Sequence, residues 1–455
     1  MQQNNSTDAT IKKLEKLLKS RMRPLYERYN QSIDGLLIPL KWKPLVLIIG
    51  NYSSGKSTFI NEVLGMDIQR TGQAPTDDCF TILTIPEAEN DEEKRIPGST
   101  VVNDERLPFT PLKPFGESLF SHLRLKKVNS PVLEHFAIID TPGMLDSVTE
   151  KDRGYNYLKV VGELARISDM IILMFDPHKA GTIKETYKAI RSTLPDTAGE
   201  DRIFYVLNRI DECDNVADLV KSYGTLCWNL SQMTGRKDIP RVFLTYSESE
   251  SRFSNENNSW VNEQEELKQA VHTAPQMRLS HIFEEIDRGV REFSLQVEAF
   301  ETFRNRFNTK LKGIFRVGVL GSFLAFFFGD IILNMFSGIP ETPLALAAFS
   351  GSVQLENLYF PLAGITCVFI ILFLYVQQFL YPRHVKKSLA ELDTLVELDT
   401  THRNDLWGRV RDSVRESITE QAKSLLMRNH SRILKKINKF LEKDIRRLFE
   451  KTHKH

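Results

Sequence analysis

Leu45-Val46-Leu47-Ile48-Ile49-Gly50-Asn51-Tyr52-Ser53-Ser54-Gly55-Lys56-Ser57-Thr58 decides how this chain is read. An apolar, β-branched run ends at a glycine, and a G-x-x-x-x-G-K-S loop follows it directly. Phe59-Ile60-Asn61-Glu62-Val63-Leu64 then has helical spacing without a breaker. Strand, loop and helix stand in the order that a phosphate-binding loop needs. Gly50 and Gly55 let the backbone turn tightly and approach phosphates closely. The N–H groups of Ser53, Ser54, Gly55 and Thr58 and the helix N-terminus can then cradle negative charge. Lys56 would reach the β- and γ-phosphates, and the Ser57 hydroxyl would ligate Mg²⁺. A Gly/Ser-rich turn after a core strand would explain the glycines but not both flanks. The stretch implies a nucleoside-triphosphate site.

Three further segments follow in an order that fits this one. Gly72-Gln-Ala-Pro75-Thr76-Asp77-Asp78-Cys79 leads irregularly into a strand at Thr81–Ile85. Pro-Thr-Asp alone is only a turn. After a phosphate loop, Thr76 is placed to close over the γ-phosphate and Mg²⁺. Phe136-Ala-Ile-Ile-Asp140-Thr141-Pro142-Gly143 is a second apolar strand that delivers Asp140 to its C-terminal end and the Mg²⁺ shell. Gly143 can bring its backbone N–H to the γ-phosphate. Asp169–Phe175 and Arg202–Leu207 read as two more buried strands, the latter ending in Asn208-Arg209-Ile210-Asp211. Asp211 can accept from the N1–H and amino group of guanine, Asn208 can brace the loops, and the Arg209 stem can cover a base. Strands alternating with helices predict a doubly wound, mainly parallel α/β sheet.

The rest of the composition narrows the class. In 455 residues there is room for about two or three domains. Sixty basic against fifty-nine acidic residues leave a net charge of +1, so no global field points to nucleic acid. Cys79, Cys213, Cys227 and Cys367 lack C-x-x-C spacing, which argues against zinc or a disulfide framework and suits a reducing compartment. The polar N-terminus has no apolar core of the kind a cleaved secretory signal carries. Ile11, Leu14, Leu17, Leu18, Met22 and Leu25 predict an amphipathic helix that Pro24 kinks or divides.

Two stretches have the length and character of membrane spans. Val317–Phe336 is about 20 residues, and Leu362–Leu380 is apolar from Ile365 through Val376. Asp330 and Asn334 in the first are costly in lipid, so they are expected to face the other helix or their own copies. Lys310, Lys312 and Arg316 precede the pair, and Arg383, Lys386 and Lys387 follow it. Ser337 to Phe360 holds no lysine or arginine. The positive-inside rule then predicts a hairpin with both long arms cytosolic. Near the C-terminus, Arg428, Arg432, Lys435, Lys436, Lys439, Lys443, Arg446 and Arg447 flank an apolar stripe of Leu434, Ile437, Leu441, Ile445 and Leu448. That segment either lies on anionic lipid or is the solvated face of a bundle.

Taken together, these motifs resemble the dynamin superfamily, in the branch of the EH-domain-containing ATPases and sarcalumenin, over roughly residues 20 to 310. The likeness extends to Arg23-Pro24-Leu25-Tyr26, Ile96-Pro97-Gly98-Ser99, Lys113-Pro114-Phe115-Gly116, Arg153-Gly154-Tyr155, Asp176-Pro177-His178-Lys179 and Tyr223–Leu230, and to Tyr52 within the loop. The resemblance implies a nucleotide-dependent membrane-remodelling machine that dimerises through its nucleotide domain, oligomerises on lipid and hydrolyses slowly until assembled. It places Ser53, Lys56, Ser57, Thr76 and Gly143 in hydrolysis. Three departures stand out. Asp77 replaces the second threonine of the family's Pro-Thr-Thr-Asp switch. Tyr246-Ser247-Glu248 replaces an aromatic pair, and a hairpin stands in place of the EH module.

The expected layout is N-terminal helices over 1–40, the nucleotide domain over 41–275, a helical stalk over 276–313, the transmembrane hairpin over 314–382 and a C-terminal helical arm over 383–455. The expected function is a membrane-anchored nucleoside triphosphatase, slow unless assembled, that couples Mg²⁺-nucleotide turnover to self-assembly and membrane remodelling, tethering or fusion. GTP is favoured over ATP, with lipid and a homodimer or homo-oligomer as partners and no nucleic acid. A nucleotide-gated scaffold with little hydrolysis is the alternative that Asp77 motivates.

Overall fold

The computed structural model describes residues 2–68, 78–86, 95–143, 154–179, 200–234, 240–246, 260–337, 350 and 359–452. It divides into two units, Met1–Arg288 with Leu448–His455, and Gly289–Arg447. The first is built on β1 (Leu45–Gly50), β2 (Phe80–Thr84), β3 (Arg95–Pro97), β4 (Leu123–Lys127), β5 (Ala137–Asp140), β6 (Met170–Phe175), β7 (Ile203–Leu207) and β8 (Val242–Leu244). They form one sheet in the order β3-β4-β2-β5-β1-β6-β7-β8.

The sheet is mixed. β1 pairs in parallel with β5 and β6, which continue in parallel to β7 and β8. β2 runs antiparallel to β5, with Thr81 opposite Asp140, and carries β4 parallel to itself. β3 is antiparallel to β4. The central strands are buried on both faces, which explains their unbroken apolar runs. Alternate residues of β1 serve opposite cores. Leu45, Leu47 and Ile49 pack with Tyr157, Val160 and Leu164 of the helix Tyr157–Ile167 and with Leu226 and Leu230 of Val216–Thr234. Val46 and Ile48 pack with Phe59, Ile60 and Val63 of Lys56–Leu64 and with Leu267 and Val271 of Trp260–His272.

The N-terminal helix buries Ile11, Leu14, Leu18, Met22 and Leu25, with Leu17 half-buried at its edge. Pro24 does not end it. Leu18–Met22 forms a wide π turn immediately before the Arg23–Glu27 helix. The same arrangement recurs where the π turn Val376–Leu380 precedes Pro382. A proline ring clashes with the carbonyl four residues back and lacks an N–H. A wider turn there absorbs both defects without breaking the helix.

The second unit is helical. The helix Ala274–Ser337 crosses the boundary between the units in sequence, and Tyr359–Tyr375, Tyr381–Ala390, Thr401–Met427 and His430–Lys439 follow it. Thr400 and Asn429 cap the last two by accepting from Arg403 N and Arg432 N, each at 3.3 Å. Phe300, Phe303, Trp407, Val410, Val414 and Ile418 are buried. Ile433, Ile437 and Phe440 of the basic C-terminal segment are buried too, while Arg432, Lys435, Lys436 and Lys439 are exposed. The stripe is therefore a bundle face, and Leu434 and Leu441 lie at its half-buried margin.

The helix carrying 317–328 lies antiparallel against the one carrying 362–380. A Cβ on Gly318 would meet Leu372 Cδ1 at 2.5 Å, one on Gly321 would meet Val368 Cγ1 at 3.9 Å, and one on Gly364 would meet Ala325 Cβ at 3.8 Å. Gly318, Gly321 and Ala325 recur at three- and four-residue steps, so small side chains let the backbones approach. Their outer faces are exposed and apolar, with Val317, Leu320, Phe323, Ile371 and Phe373 among the exposed residues. Among the described residues one helix, Leu362–Ala390, meets the length and composition of a span throughout. The side chains of Asp330 and Asn334 lie outside the described ones.

Candidate nucleotide site

At the C-terminal end of β1 the backbone turns where only glycine fits. A Cβ on Gly50 would lie 2.5 Å from Ser54 Oγ and 2.6 Å from Met174 O. Gly55 sits at φ 84°, and its Cβ would lie 2.1 Å from Asn208 Nδ2. Ser53 is also left-handed, at φ 66°. The loop ends in the helix Lys56–Leu64, whose first-turn N–H groups have no intrahelical acceptor. Lys56 is buried, and its ammonium donates to Gly50 O at 3.0 Å and Asn51 O at 3.1 Å. Ser57 and Thr58 are half-buried on the first turn. Ser54 Oγ is buried with no partner. An orphaned hydroxyl costs about 1–3 kcal/mol of desolvation, which an incoming acceptor would relieve.

The end of β5 meets this loop. Parallel register sets Asp140 beside Ile48, and the Asp140 side chain is buried. Thr141 Oγ1 donates to Ile48 O at 3.0 Å, and Tyr157 Oη donates to Pro142 O at 3.0 Å. These two bonds hold the Asp140–Gly143 turn between β1 and the helix Tyr157–Ile167. A Cβ on Gly143 would lie 2.8 Å from Tyr52 Cα and 2.9 Å from Tyr52 Cδ2. The two loops thus touch backbone to backbone, at a glycine.

The third wall comes from the end of β7. Asn208 Nδ2 donates to Ser54 O at 2.9 Å, and its Oδ1 accepts from Thr245 Oγ1 at 2.9 Å. Arg209, left-handed at φ 62°, donates from Nη1 to Ser53 O at 2.6 Å and pairs with Glu212. The Arg209 guanidinium is therefore clamped onto the loop. Asp211 lies half-buried in the turn Ile210–Glu212. Thr76 and Asp77 lie outside the described residues.

This arrangement fits a nucleotide with Mg²⁺. Gly50, Gly55 and Gly143 let the loop backbones pack closely against Ser54, Asn208 and Tyr52, and Ser54 Oγ lacks a partner. Among the described residues no group of three or more His, Cys, Asp or Glu gathers for a metal. A cation here would rest on Ser57, Asp140 and phosphate oxygens, the mixed oxygen set that Mg²⁺ takes. Tyr157 and Thr245 carry no motif of their own, and Thr141 lies in the Asp140–Gly143 motif with no role that the motif assigns. Thr245 follows β8, a strand of three residues that leaves little trace in the sequence.

Residues 46–210 match the sequence model of the dynamin family. This stretch, which holds the phosphate loop, is similar to a dynamin-family domain. About half of the chain (51%) is 34% identical over 241 residues to EH domain-containing protein 3 of Homo sapiens, and likewise 32% identical over 238 residues to EH domain-containing protein 2 of Arabidopsis thaliana. The chain spans only 43% and 42% of those relatives' own length. Among solved structures, a chain of an oligomerised bacterial dynamin pair aligns with 97% of this chain and 78% of its own, at 14% identity and a TM-score of 0.36. Toc33 from Arabidopsis thaliana, in complex with GDP and Mg²⁺, aligns with 51% of this chain and 84% of its own, at 13% identity and a TM-score of 0.31.

Proposed function

We propose that the chain is a membrane-anchored, dynamin-like nucleoside triphosphatase that couples its cycle to self-assembly and membrane remodelling. One observation carries the nucleotide reading. Asn208 and Arg209, beside the proposed base-recognition residue Asp211, are bonded directly to the carbonyls of Ser54 and Ser53 in the phosphate loop. Base and phosphate ends of one ligand would thus be held by one bonded unit.

In this reading Lys56 exchanges its two backbone carbonyls for the β- and γ-phosphate oxygens, which suit an ammonium better than neutral acceptors do. The loop N–H groups and the helix start hold the phosphates. Ser57 and Asp140, with Thr76, hold Mg²⁺, which when bound neutralises charge developing on the transferred phosphoryl group. Ser53 and the Gly143 N–H position the attacking water and the γ-phosphate. Asp211 accepts from guanine, which favours GTP over ATP. A competition titration tests this: GTP should displace a fluorescent nucleotide at lower concentration than ATP, and equal displacement would remove the assigned role of Asp211. Lys56→Ala should bind neither nucleotide.

The antiparallel pair around Gly318, Gly321 and Gly364 supports the membrane part. Its exposed apolar faces suit lipid, and by the positive-inside rule the cations before and after it favour both arms on one side. Self-association is proposed through the helix Val216–Thr234. Val216, Val220 and Trp228 there are 67%, 62% and 66% exposed, and such apolar side chains suit contact with a second copy.

A further inference from the structure

We propose that Tyr157 is a positioning residue whose hydroxyl sets the direction of the Gly143 N–H that meets the γ-phosphate. This rests on the nucleotide reading and adds a residue to it. Tyr157 Oη donates to Pro142 O at 3.0 Å. The Pro142 carbonyl and the Gly143 N–H belong to one peptide unit. That unit is planar and trans, so its C=O and its N–H point in opposite directions. A bond that holds the oxygen toward the helix Tyr157–Ile167 therefore turns the N–H away from that helix.

This peptide needs a hold from outside its own chain. It turns about the ψ of Pro142 and the φ of Gly143. The proline ring locks only its own φ, and glycine has the widest range of φ, so local sterics leave the direction open. Position 143 needs a glycine for a separate reason, because a Cβ there would lie 2.8 Å from Tyr52 Cα. Close approach to the phosphate loop thus comes with a peptide whose direction a side chain has to fix. Thr141 Oγ1 anchors the turn one residue before Pro142, on Ile48 O at 3.0 Å. Tyr157 holds the next carbonyl along.

The tyrosine itself is held rigidly. It is the first residue of its helix, and helical side chains lean toward the N-terminus, so the ring reaches past the helix end to the turn. The Asn156 side chain caps that end by accepting from Lys159 N at 3.0 Å. The Tyr157 ring is buried and stacks on Phe80, with 5.8 Å between centroids and 26° between planes. Phe80 is fully buried at the start of β2, and its N–H donates to His122 O at 2.7 Å. A side chain already confined in this way loses little entropy in making the bond. Phe80 also follows Thr76 by four residues, so one ring joins the two segments that carry the proposed γ-phosphate contacts. A phenylalanine would fill the same space and keep the same stack. The hydroxyl is the part that acts on the turn.

The test uses the full chain in detergent, with the diphosphate and a non-hydrolysable triphosphate of whichever purine it prefers. The Gly143 N–H would meet only the γ-phosphate, so the two ligands separate its direction from the general shape of the site. Tyr157→Phe should bind the triphosphate analogue about tenfold more weakly, the loss of one charge-assisted hydrogen bond, and the diphosphate within about twofold of wild type. Turnover of the hydrolysable triphosphate should fall about tenfold or more. Tyr155→Phe removes the hydroxyl of the other tyrosine against Phe80, 6.2 Å away between centroids, and should leave both affinities within about twofold. Unchanged triphosphate affinity in Tyr157→Phe, equal loss of both ligands, or the same loss in Tyr155→Phe would each overturn the proposal. A wild-type chain that binds neither ligand would overturn the nucleotide reading, and this inference with it.

Discussion

Gly55 shows how one residue can carry the site. It is left-handed, and the space a Cβ would need is already occupied by Asn208 Nδ2 at 2.1 Å. Gly55→Ala must therefore either displace Asn208 from Ser54 O or shift the loop, on top of backbone strain of about 1–3 kcal/mol. The expected result is at least a tenfold loss of nucleotide affinity with the circular dichroism spectrum unchanged; wild-type affinity would mean that the Asn208 bond is dispensable. At this scale the sequence was informative wherever a motif constrains the backbone, as at Gly50, Gly55 and Asp140. It was silent on Thr141, Tyr157 and Thr245, because a hydroxyl that bonds a distant carbonyl follows no local spacing. It gave the Arg209 stem a base to cover but no partner for its guanidinium, which packing turns onto Ser53 O and Glu212.

Elements differ in legibility for a physical reason. β1, β5, β6 and β7 are buried on both faces and read as plain apolar runs. β4 is Leu-Arg-Leu-Lys-Lys, with polar residues on its less buried face, and β3 is a three-residue edge strand ending in Pro97. Neither announces itself: β4 has one partly exposed polar face, and β3 is short, as edge strands are. The basic C-terminal helix had two readings from its pattern, and packing of Ile433, Ile437 and Phe440 decides for the bundle. That bundle should be acid-sensitive through His430. Burial, the largest cause, pushes the imidazole down to about 4 despite its bond to Leu425 O, with Arg304 and Arg428 adding to the shift. The unfolded chain protonates near the ordinary value of 6.5, so below it the unfolded state binds the extra proton. Stability is thus full above about pH 6.5 and is lost as pH falls toward 4, by about 2 kcal/mol at pH 5. His430→Gln keeps a donor for Leu425 O and should flatten that part of the melting-temperature profile. An unchanged acid slope in the variant would contradict the assignment.

For the whole molecule, the account joins a nucleotide domain, a self-association face and a membrane hairpin. Trp228→Glu places a charge among the exposed apolar side chains of Val216–Thr234. It should leave the chain folded and nucleotide-binding but shift its mass in solution to that of a single copy, and a wild-type mass distribution would remove that face from the interface. Two long apolar stretches and their flanking cations were legible, and one helix, Leu362–Ala390, meets the length and composition of a span among the described residues. The pairing of Gly318 with Leu372 and of Gly364 with Ala325 was not legible, because the spacing of small residues marks a contact face but not which helix fills it. Coupling between these parts is read out by phosphate release. The full chain reconstituted into lipid vesicles should hydrolyse GTP well above its rate in detergent, with Lys56→Ala inactive in both. A rate that is the same with and without the bilayer, or turnover that survives Lys56→Ala, would contradict it.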